Sequence, residues 1–351
     1  MAAHRVTLIA GDGIGPEVAA AAERVVEGTG VQVAWDRVEA GAEVMQKYQT
    51  PMPDHVLNAV RTTGVALKGP LTTPIGGGYT SPTVRLRQAL ELYACLRPVR
   101  SLPGLETRYQ DVDLVVVREN TEGLYSGLEH MVQPGIAESL KVISERASLR
   151  IARFAFELAQ RQGRRRVTVA HKANIMKLSD GLFLECARRV ARDHPEIELE
   201  ELIIDAACMR LVTNPEHFQV LLMDNLYGDI VSELCAGLVG GLGVVPGANY
   251  GDECAVFEAV HGSAPDIAGR NVANPIALIR SAALMLEHLG EPRAYEAIEA
   301  AVNGVLARGD CLTPDLGGQA TTTEVAEAIV REMEQQRETP PWAKRPPSGG
   351  E

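Results

Sequence analysis

The chain has 351 residues, 46% of them hydrophobic, and a formal net charge of -12 at pH 7. That length buries a large core and suffices for two domains. The negative balance, with no long basic run to offset it, argues against nucleic acid or an anionic membrane as partner, so an anionic substrate must be met by local cations. Strand-like runs alternate with helix-like ones: residues 5–10, 17–27 and 31–36 read as strand, helix, strand, and 114–117, 147–161 and 167–170 repeat the pattern. This predicts an α/β fold with a sheet covered by helices, and nothing repeats at a solenoid period.

Gly11 and Gly13 follow the first strand, and Asp36 ends the next, which imitates a dinucleotide-binding fingerprint. Pro16 stands where the third glycine belongs, and a proline there fixes a helix start, so the glycines read as a tight turn in a fold that is not Rossmann. Six cysteines without CxxC or zinc-like spacing read as small buried hydrophobes in a reducing compartment. The N-terminus has no charged-then-apolar leader, and no apolar run reaches the roughly eighteen residues of a membrane span, so the expected location is cytoplasmic. Arg164-Arg165-Arg166 precedes an apolar strand and reads as a solvated loop. Residues 338–351 collect Pro, Gly, Ser and charge and are expected to be a disordered tail, the other reading being a docking segment through Trp342.

The segment from His261 to Gly269 is rich in Gly, Ala and Pro, which lets a ligand approach the backbone. Its one acidic residue, Asp266, suits a ribose with free hydroxyls and repels a 2′-phosphate, favouring NAD over NADP. By itself the string is equally a surface turn with a capping Asp. In Tyr79 to Arg87, Ser81 before Pro82 makes a helix start whose free N–H groups suit a carboxylate, with Thr83 in the first turn and Arg87 further along. The plainer alternative has Ser81 only capping and Arg87 only snorkelling. Arg97 and Arg118 each adjoin an apolar stretch, where an unpaired charge is expensive, so both need anions. Asp229 and Glu233 are four apart on an expected helix, either a solvated face or a pair of oxygen ligands for Mg2+ or Mn2+.

Gly11-Asp12-Gly13-Ile14-Gly15-Pro16-Glu17, Lys68-Gly69-Pro70, Leu96-Arg97-Pro98 and Arg118-Glu119-Asn120-Thr121-Glu122-Gly123 with Tyr125 come in this order. His171-Lys172-Ala173-Asn174, Asp205, Asn225-Leu226-Tyr227-Gly228-Asp229, Gly240-Gly241-Leu242-Gly243, the 261–269 loop with Asn274-Pro275, and Thr313-Pro314-Asp315-Leu316-Gly317-Gly318 follow. Together they resemble the β-decarboxylating dehydrogenases, the family of isocitrate, isopropylmalate and homoisocitrate dehydrogenases.

The resemblance implies an isocitrate/isopropylmalate dehydrogenase-like fold: a large cofactor-binding domain from 1–97 and 243–337, and an inserted small domain, 98–242, with the dimer contacts and metal ligands. It implies catalysis by Tyr125, Lys172 and Asp205, the last two contributed by the partner subunit. It implies binding of a tricarboxylate by Ser81, Thr83, Arg87, Arg97, Arg118 and Asn174, and a Mg2+ or Mn2+ ion held by Asp205, Asp229 and Glu233. NAD is expected at Ile14, Thr72, His261, Gly262, Ser263, Ala264, Asp266, Ile267 and Asn274. The plainer readings are a structural cation for Lys172 and a packed polar side chain for His261. Thr83 and Glu233 stand where the family usually has Asn and Asp. Ser81 and the stretch from Tyr125 to His130 are most similar to the NAD-linked isocitrate enzymes, so the implied reaction is oxidative decarboxylation of isocitrate in a homodimer with shared sites, higher assembly being open. The alternatives are homoisocitrate, isopropylmalate or tartrate as substrate, or a non-catalytic regulatory subunit of a hetero-oligomer.

Overall fold

The computed structural model describes residues 3–76 and 78–338. In chain order the first elements are β1 (His4–Ile9), α1 (Gly15–Thr29), β2 (Val33–Val38), α2 (Met45–Tyr48), α3 (Asp54–Thr63), β3 (Val65–Lys68) and α4 (Pro82–Ala89). The middle of the chain supplies β4 (Ala94–Arg100), β5 (Asp113–Glu119), a hairpin of β6 (Glu129–Gln133) and β7 (Ile136–Ser139), α5 (Glu145–Arg161), β8 (Arg166–His171) and α6 (Ser179–Ala191). Then come β9 (Glu198–Ile203), α7 (Ile204–Thr213), β10 (Val220–Met223), α8 (Asn225–Leu238), β11 (Pro246–Tyr250), β12 (Ala255–Ala259), α9 (Ile276–His288), α10 (Pro292–Arg308) and α11 (Thr322–Glu338).

Ten of these strands form one sheet in the order β2-β1-β3-β12-β11-β4-β5-β10-β8-β9. Its two flanks are parallel, β2-β1-β3-β12 and β5-β10-β8-β9, as expected where helices return the chain between strands. Between them the direction alternates through β11 and β4, so the flanks run oppositely. Leu114 to Val117 of β5 are buried on both faces, which is why that strand reads as an unbroken apolar run. Residue 97, at the expected edge of the large domain, falls inside β4 rather than in a linker.

The α/β reading holds, and Pro16 lies in the first turn of α1, with Gly30 closing that helix at φ 84°. Two local expectations are corrected. The helical run after Ser81, which the sequence pattern extends to Leu92-Tyr93, stops at Ala89, because Glu91 takes a left-handed φ of 48° and Leu92 donates its N–H back to Arg87 O at 2.8 Å. Arg164 is not simply solvated: its guanidinium lies 2.5 Å from Asp113 Oδ1 and also donates to the Asp113 carbonyl, anchoring the turn before β8. All six cysteines are free. Of the expected tail, residues 339–351 and Trp342 lie outside the described residues.

Candidate active site

The C-terminal ends of β1, β3 and β12 lie side by side, and the turns leaving them interlock through backbone. Asp12 N–H donates to Pro70 O at 2.8 Å and Ile14 N–H to Ser263 O at 2.9 Å. A Cβ on Gly13 would stand 2.0 Å from Ser263 O, and one on Gly11 2.1 Å from Pro70 O, so only glycine fits at these positive-φ positions. Asp12, buried, accepts the N–H of Ala42 at 2.8 Å and of Thr72 at 2.7 Å, and Thr72 Oγ1 donates to Ser263 Oγ at 2.9 Å. Expected cofactor residues Ile14, Thr72 and Ser263 thus meet in one cradle.

The remaining expected cofactor residues continue along the same loop. Ala264 is held at φ 37°, Gly262 and Asp266 are exposed, and Ile267 is half-buried against the core. His261 Nε2 is shielded from solvent with no partner, and burial pushes the His261 imidazole below its ordinary pKa, so a neutral ring offers an unused polar atom to a ligand. Asn274 is buried, and its amide donates to Asp315 Oδ2 at 3.0 Å while its Oδ1 accepts from Ile276 N–H. An orphaned ring nitrogen above a glycine-walled cradle fits a dinucleotide.

Beside the cradle the material changes from backbone to charge. Arg87 on α4, Arg97 on β4 and Arg118 on β5 are all buried. Their convergence shows in Arg118, whose guanidinium is depressed first by burial and then by the positive charges of Arg87 and Arg97. Glu258 receives Arg87 at 2.8 Å and Lys68 at 2.6 Å, and Asn249 donates to the same carboxylate. Burial opposes that carboxylate's charge, but Lys68 and Arg87 hold Glu258 far below the usual carboxylate range. Arg87 Nε has no partner. Arg118 donates through Nε and Nη2 to Asn225 Oδ1, at 3.0 and 2.6 Å, and through Nη1 to Asp229. Gly228 makes room for this: its Cβ would lie 2.5 Å from Arg118 Cγ. Arg97 donates to Ser232 Oγ, on the same face of α8.

Four cations against two carboxylates leave the basin net positive, and the orphaned Arg87 Nε is the kind of vacancy an anionic ligand fills. Ser81 caps α4 beside the basin, accepting weakly from Val84 N–H at 3.5 Å and bonding Thr73 Oγ1 at 3.0 Å. Thr83 follows in the first turn, half-buried. Tyr125 donates its hydroxyl to Asp229 Oδ2 at 2.5 Å. Burial and then Asp229 raise the Tyr125 phenol above its ordinary pKa, keeping it protonated. Asp229 is held ionised by Arg118, Tyr125 and the other arginines against the pull of burial.

Two expected groups stand apart. Lys172, at the end of β8, donates to Asp205 Oδ1 of α7 at 2.5 Å, and that bond lowers the Asp205 pKa. Asp205, Asn174 and Glu233 are exposed. Among the described residues of one chain, no three His, Cys, Asp or Glu side chains gather as a metal set. Asp229 and Glu233 do lie one turn apart on α8, hard oxygen donors that suit Mg2+ or Mn2+ if a third carboxylate arrives from a second copy.

A mixed α/β fold with a neutral-ring cradle beside a cationic basin has the parts a dehydrogenase of a small anionic substrate would need. The chain belongs to the isocitrate/isopropylmalate dehydrogenase family, whose model matches residues 5–329, and is therefore an oxidoreductase. It is 53% identical to the mitochondrial catalytic subunit 5 of NAD isocitrate dehydrogenase from Arabidopsis thaliana, over 92% of this chain and 87% of that protein. It is also 52% identical to the chloroplastic 3-isopropylmalate dehydrogenase of Solanum tuberosum, over 87% and 86%. The solved isocitrate dehydrogenase of Methylococcus capsulatus superposes with a TM-score of 0.92 at 51% identity, covering 95% of this chain and all of that one.

The expected isocitrate/isopropylmalate dehydrogenase-like fold is thereby met. The cytoplasmic expectation is overturned: relatives from Arabidopsis thaliana, fission yeast and Drosophila melanogaster are named as mitochondrial. A lack of cysteine pairing does not single out the cytosol among reducing compartments.

Sequence reasoning gave no role to Lys68, Glu258, Asp12, Asn225, Gly228 or Ser232, which hold the candidate site residues in place. Lys68 and Glu258 carried a usable signal: Lys68 ends one apolar strand and Glu258 stands one residue from the end of another, the same anomaly that singled out Arg97 and Arg118.

Proposed function

We propose that this chain is a metal-dependent NAD isocitrate dehydrogenase that yields 2-oxoglutarate and carbon dioxide. The observation that carries the reading is the buried convergence of Arg87, Arg97 and Arg118, with the hydroxyls of Ser81 and Thr73 bonded to one another at the start of α4, the helix that carries Arg87. Guanidinium forks bind and orient carboxylates, and a hydroxyl rim suits a third carboxylate rather than an isopropyl tail. Exposed Asp266 favours the free ribose hydroxyls of NAD.

Asp229, Glu233 and a second copy's Asp205 would hold a divalent ion, which would supply Lewis-acid polarisation of the substrate hydroxyl, and NAD held at the cradle would supply the hydride acceptor. Arg87, Arg97 and Arg118 hold the acid, while the Lys172–Asp205 pair, supplied by a second copy, helps remove the hydroxyl proton. Tyr125, kept protonated, returns a proton to the carbon that loses carbon dioxide. Thr83 in place of Asn keeps a hydroxyl but shortens the reach to the substrate.

On this reading a second copy completes the site, since Asn174 and Asp205 are exposed and Lys172 partly so in a single chain. The hairpin β6–β7 supports this, with Leu128, Met131, Val132, Ile136 and Leu140 all about half exposed or more, a surface a second copy would cover. On this reading residues 1–97 with 243–337 and residues 98–242 are the two bodies that close on the substrate, and sedimentation at micromolar concentration should give a dimer. Catalytic and regulatory subunits both occur among the relatives. The full set of basin residues favours the catalytic role.

The test is a steady-state comparison of isocitrate, homoisocitrate, 3-isopropylmalate and tartrate with NAD and NADP in the presence of Mn2+. Isocitrate with NAD should give the highest kcat/KM. A higher value with 3-isopropylmalate would overturn the substrate assignment, and no turnover by the purified chain with any acid would favour the regulatory role.

A further inference from the structure

Outside the basin, another buried charge cluster is centred on Lys141. Lys141 lies between the hairpin and α5, its side chain only 11% exposed, and its Nζ donates to Asp180 Oδ1 at 2.5 Å and forms an ion pair with Asp224 Oδ2. The ammonium also sits 4.5 Å from the centre of the Tyr227 ring. Both carboxylates are 5% exposed or less.

Each partner of Lys141 has a second bond that leads to the candidate chemistry. Asp180 Oδ2 accepts the backbone N–H of Lys172 at 2.7 Å. Asp224 Oδ1 accepts the N–H of Tyr227 at 2.9 Å and so caps α8, the helix that carries Asn225, Asp229 and Ser232. The backbone next to Lys141 makes the third connection. Val142 O accepts from Gly123 N–H at 2.8 Å and Val142 N–H returns to Gly123 O, an isolated bridge that fixes the start of the turn carrying Tyr125. One side chain and its neighbouring peptide therefore touch the supports of Lys172, Asp229 and Tyr125 at once.

We propose that Lys141 is a positioning residue that locks the Lys172 turn, the cap of α8 and the Tyr125 turn into a single register. The inference rests on the roles assigned to those three groups above. A cation serves here because two buried carboxylates facing one another would otherwise repel and neutralise, releasing Lys172 N–H and the α8 cap together. Burial pulls against the Lys141 ammonium, and Asp224 and Asp180 outweigh it, so the charge persists. Because Lys172 is assigned to the partner's site and Asp229 to the chain's own, the lock also ties the two sites of a dimer to one another.

The test compares the parent dimer with Lys141→Met, Lys141→Arg and the charge-balanced Lys141→Met/Asp180→Asn/Asp224→Asn at matched folded fraction. With isocitrate, NAD and Mn2+, Lys141→Met should lose at least tenfold in kcat while the Kd for NADH, read by fluorescence, stays within twofold, since the 261–269 loop does not touch the cluster. Mn2+ affinity, read by electron paramagnetic resonance, should weaken in parallel. Lys141→Arg should recover part of kcat, and the charge-balanced variant should fold and remain slow. A kcat within twofold of the parent for Lys141→Met, full recovery in the charge-balanced variant, or failure of all three to fold would overturn the proposal. If the parent turns over another acid of the panel instead, the substrate assignment fails and the same ratios are read with that acid.

Discussion

The cofactor cradle and the arginine basin adjoin, yet they are built from different materials. In the cradle, peptide groups of the β1, β3 and β12 turns bond one another directly, and glycines let them approach to distances no side chain would permit. In the basin, long charged side chains from α4, β3, β4, β5, β12 and α8 meet in the interior, each held by an opposite charge or an amide. A backbone site keeps its shape through local geometry and carries little charge. A side-chain site depends on partners far away in the sequence and responds to charge removal and to pH.

Four measurements would break or sharpen that contrast. The largest effect is expected for Glu258→Gln, which leaves Lys68 and Arg87 without their counter-charge, a loss of about 3 to 5 kcal/mol when a buried pair is broken. Since the folded-state pKa of Glu258 is depressed, its stabilisation is fully present above the unfolded value of about 4.3 and disappears as pH falls towards the folded value. Thermal denaturation should therefore show a gap between parent and variant that is constant at neutral pH and narrows below about pH 4. A gap that widens in acid would contradict the assignment.

Next in size is Arg118→Gln, which removes charge-assisted bonds worth about 1.5 to 3 kcal/mol and should cut kcat/KM for isocitrate by about a hundredfold. NADH affinity should hold, and a matching loss there would mean that cradle and basin are not separable. For the cradle, Asp266→Lys combined with Ile267→Tyr should move the NAD to NADP ratio of kcat/KM by about tenfold, the scale of one exposed charge interaction and a repacked contact. An unchanged ratio would remove Asp266 from the ribose. The smallest effect is expected for Glu233→Asp, which shortens the reach of one carboxylate by a methylene. Activity should stay level or rise, and weaker Mn2+ binding would show that the site is adapted to Glu.

The same contrast explains what could be read from the chain in advance. Cradle residues lie in contiguous motifs, so Gly11 to Pro16 and His261 to Gly269 were legible as turns and as a non-Rossmann start. Arg97 and Arg118 were legible because a charge beside four apolar strand residues must have a partner. The partner itself was not, since Glu258 lies 171 positions from Arg87 and only sheet order brings them together. Asn225 and Gly228 were inside a recognised motif, but the need for a small residue against Arg118 appears only when α8 is laid across β5. The early end of α4 depended on one left-handed residue, Glu91, of a type that seldom adopts that conformation.

Gly13 and Gly11 also determine where this scaffold has room for change. The space a side chain would need at those two positions is already taken by Ser263 O and Pro70 O, so any replacement must push two turns apart before it meets a ligand. The route to a new electron acceptor or a new acid therefore runs through the rim, at Ser81, Thr83, Asp266 and Ile267, where side chains are exposed or partly so and a swap costs at most a helix cap or a peripheral core contact. A library confined to those four positions should return mostly folded proteins, whereas one centred on the glycines should return few.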